Sequence, residues 1–275
     1  MTDEFTIEVA GLTVPALGFG TWQLNGEVAE ARVADALEIG VRHIDTAQLY
    51  ANEDAVGRGI AASGVDRDEV FLTTKVARNN AAPADVHRST EESLRALDVD
   101  HVDLLLIHWP AEEIAPTEAT LEALTEVRDR GLTRAIGVSN YPSALLRRAF
   151  EVAPIVTDQV EHHPYLAVDA IREVLDEHGG FLTAYSPIAK GRIAGDPVLT
   201  EIASDHGVTA AQVTLRWLLQ RGASAIPRTS SPERVRENAD VAGFTLSDDE
   251  LARIDGLNRG ERLVDPGHGV AWDTA

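Results

Sequence analysis

The sequence predicts a closed (β/α)8 barrel, and three observations carry that expectation. Strand-like and helix-like segments alternate eight times without interruption. No linker or shift in composition divides the 275 residues, so one domain over 1–275 is expected. Four chemistry-bearing side chains, Asp45, Tyr50, Lys75 and His108, fall at or just past the ends of three successive strand-like runs. In a barrel of parallel strands that rim is where chemistry sits.

In chain order, residues 5–9 and 12–14 flank Ala10-Gly11 and read as a short N-terminal β-hairpin. A first barrel strand at 17–20 runs into Gly20-Thr21-Trp22. Further strands are expected at 41–45, 71–76, 102–107, 134–138, 155–160, 181–185 and 223–226. Helical periodicity covers 27–39, 53–63, 83–97, 117–130, 143–152, 168–178, 209–221 and 232–241. Extra helices are expected near the C-terminus, at 197–205 and 247–258. The competing architecture is an open, doubly wound sheet. Gly18 and Gly20 supply the first two glycines of a dinucleotide fingerprint but the third is missing, which argues against it.

Composition removes several function classes. There is no cysteine, which excludes disulfides and thiolate zinc sites. The first nine residues carry no basic and apolar signal segment, and no apolar run is long enough to span a bilayer, so a cytoplasmic protein is expected. A formal charge of −21, spread along the chain, argues against nucleic acid as a partner. Lys75 and Lys190 are the only lysines; every other cationic side chain is arginine. That pattern is the one expected of a halophilic protein working in molar salt. In a chain so depleted of lysine, the two that remain are expected to be needed as lysines.

Taken singly, each of the four rim residues has an ordinary structural role. Asp45 could cap a helical turn, Tyr50 could be a packed aromatic, Lys75 a solvated rim cation and His108 a satisfied core histidine. Their coincidence at consecutive strand ends is what points to acid/base chemistry: a carboxylate, a phenol, a cation to tune it and an imidazole. His162-His163 suggests a metal pair, but adjacent side chains on extended chain point apart, so no metal is expected.

The strings carrying these residues resemble the aldo-keto reductase family, in its prokaryotic 2,5-diketo-gluconate-reductase-like branch, over essentially the full length. GVRHIDTAQLYANE resembles the family's strand with catalytic Asp and Tyr, FLTTKV its lysine strand and VDLLLIHWP its histidine strand. AIGVSNY, DQVEHHPYL, AYSPIAKG and AIPRTSSPERVRENADV follow in the family's order. The resemblance implies hydride transfer from a nicotinamide to a small carbonyl substrate. Tyr50 would be the general acid, Lys75 held by Asp45 would favour the ionised phenol, and His108 would orient the carbonyl. It further implies a carboxamide site at Ser139, Asn140 and Gln159, ring stacking on Tyr185, and a pyrophosphate loop at Ser186, Ile188, Lys190 and Gly191. Arg228, Thr229, Ser230 and Arg234 match the segment that holds an adenosine 2′-phosphate, with Glu237 and Asn238 near the adenine. Gly20, Thr21 and Asp45 complete the cofactor set, and Trp22, Tyr50, His108 and Trp109 the substrate wall.

Three positions depart from the family pattern: Arg228 stands where lysine is usual, Asp158 where asparagine is usual and Gln48 where tyrosine is common. NADPH is expected as the preferred cofactor, with NADH possible, and the chain is expected to be a monomer. The short terminal loop after Pro266, with Trp272, implies an open apolar pocket for aldehydes or activated ketones. Two rivals were weighed: a nucleotide-sensing regulatory protein on the same barrel, and a hydrolase using Asp45 and Glu161 as paired carboxylates. The intact four residues disfavour the first. The second leaves Lys75, Ser139-Asn140 and the 228–238 segment without a purpose.

Overall fold

The computed structural model describes residues 5–273. The strands β1 (Thr6–Val9) and β2 (Leu12–Pro15) form an antiparallel hairpin. Eight further strands make one parallel sheet in sequence order: β3 (Gly18–Gly20), β4 (His43–Asp45), β5 (Phe71–Val76), β6 (Val102–Ile107), β7 (Thr133–Ser139), β8 (Ile155–Glu161), β9 (Phe181–Tyr185) and β10 (Ser224–Ala225). The ring closes between its first and last strands. Leu17 pairs in parallel with Ala225, the Ala225 N–H donates to Ala16 O at 2.7 Å, and the Gly20 N–H donates to Pro227 O at 3.0 Å. Gly20 is a glycine for a packing reason: a Cβ there would meet the Ile226 carbonyl oxygen at 3.0 Å. This is the expected (β/α)8, or TIM, barrel.

The helices are α1 (Gly26–Glu38), α2 (Glu53–Ser63), α3 (Pro83–Leu97), α4 (Thr117–Asp129), α5 (Ser143–Val152), α6 (Asp169–His178), α7 (Pro197–His206), α8 (Ala210–Gln220), α9 (Pro232–Ala239) and α10 (Asp248–Asp255). Each barrel helix exists because one stripe is apolar. In α3 the buried positions Val86, Thr90, Leu94 and Leu97 recur at helical spacing, and Pro83 starts the helix at a position that needs no N–H. The later helices have side-chain caps: Asp196 for α7, Ser231 for α9, and capping boxes at Thr209 for α8 and Ser247 for α10. The two extra helices, α7 and α10, stand where the sequence places them.

Two apolar layers hold the barrel. The outer one packs strands against helices, with Ile44, Leu72, Leu105, Ile136 and Leu182 among its buried members. The inner one is smaller: Val9, Leu12 and Val14 of the hairpin cluster with Phe71, Leu104, Leu106, Ala135, Val156 and Phe181. The hairpin therefore plugs the N-terminal end of the barrel. Because side chains alternate along a strand, the inward rows run Phe71, Thr73, Lys75 and Leu104, Leu106, then His108. Each row starts apolar beside the plug and ends polar at the rim.

Strand ends differ modestly from expectation. The second barrel strand begins at His43 rather than 41, the last is only Ser224–Ala225, and Ser139 is the final residue of its strand rather than the first beyond it. A register shift between β7 and β8 lets three residues oppose two, which aligns Gln159 with Ser139 and Asp158 with Val138.

Candidate active site

The rim of β4 and β5 holds a buried ion pair. Lys75 Nζ donates to Asp45 Oδ1 at 2.5 Å, to the Thr46 carbonyl at 2.8 Å and to the Tyr50 hydroxyl at 3.3 Å. Lys75 and Asp45 are both shielded from solvent. Tyr50 sits on a 3-10 turn, Gln48–Tyr50, that follows β4 directly. Its ring meets Trp22 at 4.9 Å and His108 at 5.6 Å between centroids, so phenol, indole and imidazole surround one space above Lys75. The four rim residues that the sequence picks out are therefore brought together.

Burial lowers the Lys75 ammonium from its ordinary value, opposed by the charge and hydrogen bond of Asp45. It pushes the Tyr50 phenol well above its ordinary value, and the Asp45 carboxylate pushes the same way. The net shift is therefore upward, opposite to the one Lys75 alone would give, although its contact with the hydroxyl still favours the ionised form. With Asp45 against the ammonium, the pair presents little net charge and desolvation decides. Tyr50 is consequently held as a proton donor. Burial takes His108 well below its usual range, with Lys75 adding to the effect, so its imidazole is neutral near pH 7. A neutral imidazole can donate one hydrogen bond without carrying charge.

Next to this group lies a second network. Ser139 Oγ donates to Gln159 O at 2.7 Å, and Asn140 Nδ2 donates to Ser139 Oγ and His108 O, both at 3.0 Å. Tyr185 Oη donates to Asn140 Oδ1 at 2.8 Å. Asn140 holds a left-handed backbone, φ +65°, a conformation asparagine tolerates. Gln159 Nε2 donates to Asp45 Oδ2 at 2.8 Å, joining the two networks. The residues expected to hold a carboxamide, together with Tyr185, expected to stack on the ring, thus form one cluster beside Tyr50.

The rest of the expected cofactor set follows the rim. The segment from Ser186 to Gly191 has four left-handed residues, Ser186, Ala189, Lys190 and Gly191, which curl the backbone into a tight loop. Lys190 Nζ there donates to Leu263 O at 2.9 Å. Arg228 donates Nε to Trp22 O at 2.7 Å and Nη2 to Gln23 Oε1 at 2.6 Å, tying the end of β10 to the indole loop. Ser231 caps α9 through Arg234 N–H, and Thr229 Oγ1 accepts the Ser231 N–H. Glu237 accepts from Thr209, and Asn238 is buried. Ser230 gives its carbonyl to Arg32. Thr21 is fully buried, with its hydroxyl and N–H both on the Asp45 carbonyl; its place is behind the site, holding β4. Ile188 packs against the main apolar core.

Sequence does not single out Asn52, and it marks Gln48 only as a departure from the family pattern. Asn52 Nδ2 donates to the carbonyls of Thr21 and Leu24, and Gln48 Oε1 accepts from Ala77 N–H and Asn80. Both lie within the GVRHIDTAQLYANE string, but their partners are distant in sequence. Glu161 accepts the N–H groups of Leu263 and Val264 at 2.9 Å each and faces His163, so it anchors the terminal loop. That geometry removes it from the paired-carboxylate reading. His162 bonds Leu166 O and packs on Trp217 while His163 turns to Glu161, so the adjacent imidazoles diverge. Among the described residues no group of three or more His, Asp or Glu is placed to hold a metal ion, and no helix is long and apolar enough to cross a membrane.

The substrate side is aromatic. Trp109 is buried and meets His268 at 5.3 Å and Trp272 at 6.1 Å. Arg262 stacks on Trp272 at 3.6 Å, and Asp273 accepts from Ser143 N–H and Oγ, docking the terminal loop on α5. Trp22 and Leu49 are about half exposed at the mouth.

A closed barrel with a buried Asp–Lys pair against a phenol, beside an imidazole, is suited to proton transfer at its rim. The model of the aldo/keto reductase family matches residues 16–259, and the chain belongs to that family. It is 43% identical over 253 residues to an aldo-keto reductase of Mycobacterium avium, covering 91% of this chain and 88% of that one. It is 39% identical over 267 residues to methylglyoxal reductase DkgB of Salmonella typhimurium, covering 95% of this chain and all of the relative. A crystal structure provisionally described as a 2,5-diketo-D-gluconic acid reductase B superposes with TM-score 0.94 at 41% identity, over 98% of both chains. A Bombyx mori aldo-keto reductase in complex with NADP superposes with TM-score 0.88 at 31% identity, over 95% of both. The protein is an oxidoreductase acting on small carbonyl compounds.

Proposed function

We propose that this chain is an NADPH-dependent reductase of small aldehydes and activated ketones, with Tyr50 as general acid. The observation that carries the reading is the Tyr50 hydroxyl, 3.3 Å from Lys75 Nζ and with its ring against His108. The chain's residues fit a nicotinamide nucleotide. Lys190 follows β9 and Arg228 and Arg234 follow β10 in a chain of charge −21, left-handed residues curl the loop at 186–191, and α9 offers its N-terminus. When bound, that group supplies hydride to the carbonyl carbon.

The remaining work belongs to the protein. His108 donates to the carbonyl oxygen and fixes its direction, and the buried site makes that bond stronger than it would be in water. Tyr50 gives its proton to the oxygen as negative charge develops there. Lys75, fixed by Asp45 and the Thr46 carbonyl, steadies the phenolate that remains. Trp22, Trp109 and Trp272 shield the reacting centre with apolar walls, which favours compact, activated carbonyls; a small dicarbonyl of the kind reduced by the methylglyoxal reductase relative fits this class. Arg228 and Arg234, whose planar guanidinium forks match a phosphate, support the reading of a 2′-phosphorylated cofactor.

The test is steady-state oxidation of NADPH, then NADH, with an activated aromatic aldehyde in molar KCl, beside Tyr50→Phe. Turnover that collapses at least a hundredfold in the variant, the scale of a lost general acid, supports the reading. Tight nucleotide binding with no turnover across several carbonyls overturns it in favour of a sensor.

A further inference from the structure

The phenol is mounted on a turn whose first residue reaches across to the neighbouring loop. Gln48 Oε1 accepts the Ala77 N–H at 2.8 Å and Asn80 Nδ2 at 2.9 Å. Two donors converge on this atom, so it is the oxygen of the amide and the orientation follows from the chemistry. Gln48 stands two residues before Tyr50, and Ala77 two residues after Lys75. The side chain therefore staples the turn carrying the phenol to the strand end carrying the ammonium.

The other flank is fixed separately. Asn52, two residues beyond Tyr50, donates to Thr21 O at 3.0 Å and Leu24 O at 2.6 Å and accepts from Thr46 Oγ1 at 3.1 Å. Between the two amides Ala51 holds a left-handed backbone, φ +52°, so the turn is not a form that relaxes there unaided. Asn52 ties the turn to the indole loop and Gln48 ties its first residue to the end of β5, while Glu53 beyond the turn accepts from Thr74 of β5. The quantity at stake is the Tyr50–Lys75 separation of 3.3 Å, the longest of the three Lys75 contacts. A shift of a few tenths of an ångström ends it as a hydrogen bond.

We propose that Gln48 is a positioning residue that sets the Tyr50–Lys75 separation, and through it the rate of proton transfer from the phenol. The proposal rests on the reading of Tyr50 as general acid. Gln48 touches neither reacting atom; it acts through the turn. If the staple is lost, the phenol moves away from its only adjacent cation. Its anion is then less favoured, it becomes a weaker acid, and the basic limb of the pH–rate profile moves up.

The test compares Gln48→Leu and Gln48→Ala, which remove the acceptor, with Gln48→Glu, which keeps one at the same reach. Each is measured for kcat, KM and the pH dependence of kcat, with thermal unfolding to establish the folded fraction. The expected result for Q48L and Q48A is a kcat about tenfold lower or more, as small misplacements of a catalytic group cost. Their KM for NADPH should stay near wild type and the basic limb should move to higher pH, with Q48E recovering most of kcat. Wild-type kcat and pH limb in folded Q48L or Q48A overturn the proposal, as does a loss of rate that only follows loss of folded protein. Equal impairment of Q48E also overturns it. Failure of the wild type to turn over any carbonyl is the separate result that removes the reading of Tyr50 beneath it.

Discussion

Gln159 donates its amide to Asp45 across the whole mouth of the barrel. The bond, Nε2 to Oδ2 at 2.8 Å, joins β8 to β4, which stand four strands apart in a ring of eight. Lys75 takes the other oxygen, so both lobes of the carboxylate are occupied and its orientation is fixed from opposite sides. The residue that the family resemblance assigns to a carboxamide thus also holds the carboxylate that holds the lysine.

That arrangement makes the Asp45–Lys75 pair a stability element as well as part of the proposed active site. Removing one partner leaves the other charge buried, which costs about 3–5 kcal/mol. Asp45→Asn and Lys75→Met are each expected to lose stability on that scale in urea titrations. The double variant is expected to lose much less than the sum, because no orphaned charge remains. Simple additivity of the two losses would show that the pair is not coupled.

Much of this site was legible because its chemistry lies at strand ends, and strand ends can be read from apolar runs. Asp45, Lys75 and His108 each close such a run, and Tyr50 follows one at loop distance. The barrel was legible for the same reason, since alternation of strand and helix leaves few other topologies. Bonds between elements were not. Nothing local to Gln48 indicates Ala77, and nothing near Glu161 indicates Leu263 and Val264, a hundred residues later. The sign of the effect on Tyr50 also depends on three dimensions. Lys75 alone predicts a depressed phenol; burial and the intervening Asp45 reverse it.

Asp158 is a departure with a thermodynamic consequence. Its carboxyl is fully buried, one oxygen has no partner among the described residues, and its contact with Tyr141 N–H is a long 3.5 Å. Burial raises it well above the ordinary carboxylate value. A raised carboxyl is most favourable to the fold below its unfolded value near 3.8, and that contribution is lost as pH rises. Asp158→Asn is therefore expected to stabilise the protein at pH 7 to 8 by about 1–3 kcal/mol, the range for relieving an imperfectly paired buried polar group. The gain should shrink to nothing as the pH approaches 4. Unfolding midpoints across that range decide it, and a variant less stable than wild type at pH 8 would mean the ionised form is held by contacts that the fold does not display.

Acid should destabilise the protein through its buried imidazoles. Burial depresses His162 to about 4 from 6.5, and it lowers His43 and His108 as well. A depressed histidine contributes stability that is whole above pH 6.5 and is lost as pH falls through the folded value. For His162 the loss between 6.5 and 4 amounts to about 3 kcal/mol, at 1.36 kcal/mol per unit. His162→Gln should flatten the pH dependence of the unfolding midpoint in that window while leaving kcat intact, since the ring contacts Leu166 and Trp217 away from the rim. His108, which burial holds well below its usual value, should put no limb near pH 6.5 into the rate profile. An acid limb there that vanishes in His108→Gln would refute its neutrality.

Salt acts on two opposed terms, and their sizes predict which prevails. Exposed pairs such as Arg88 with Asp85 and Glu92, Arg58 with Glu30 and Asp54, and Arg130 with Glu91 each contribute little and weaken when screened. Against them stands a formal charge of −21, an excess of carboxylates over lysines and arginines. The mutual repulsion of the carboxylates extends over many pairs and disfavours the compact state. Molar KCl shortens the Debye length to about 3 Å, which removes most of the repulsion, whereas an arginine–carboxylate contact at 2.9 Å, like that of Arg88 with Asp85, survives in part. Net stabilisation by salt follows: the thermal midpoint should climb steadily from 0.1 to 2 M KCl, and most steeply at the low end where screening changes fastest. A midpoint that stays level or falls over this interval would show that the local pairs outweigh the global charge and would remove the argument for a halophilic protein.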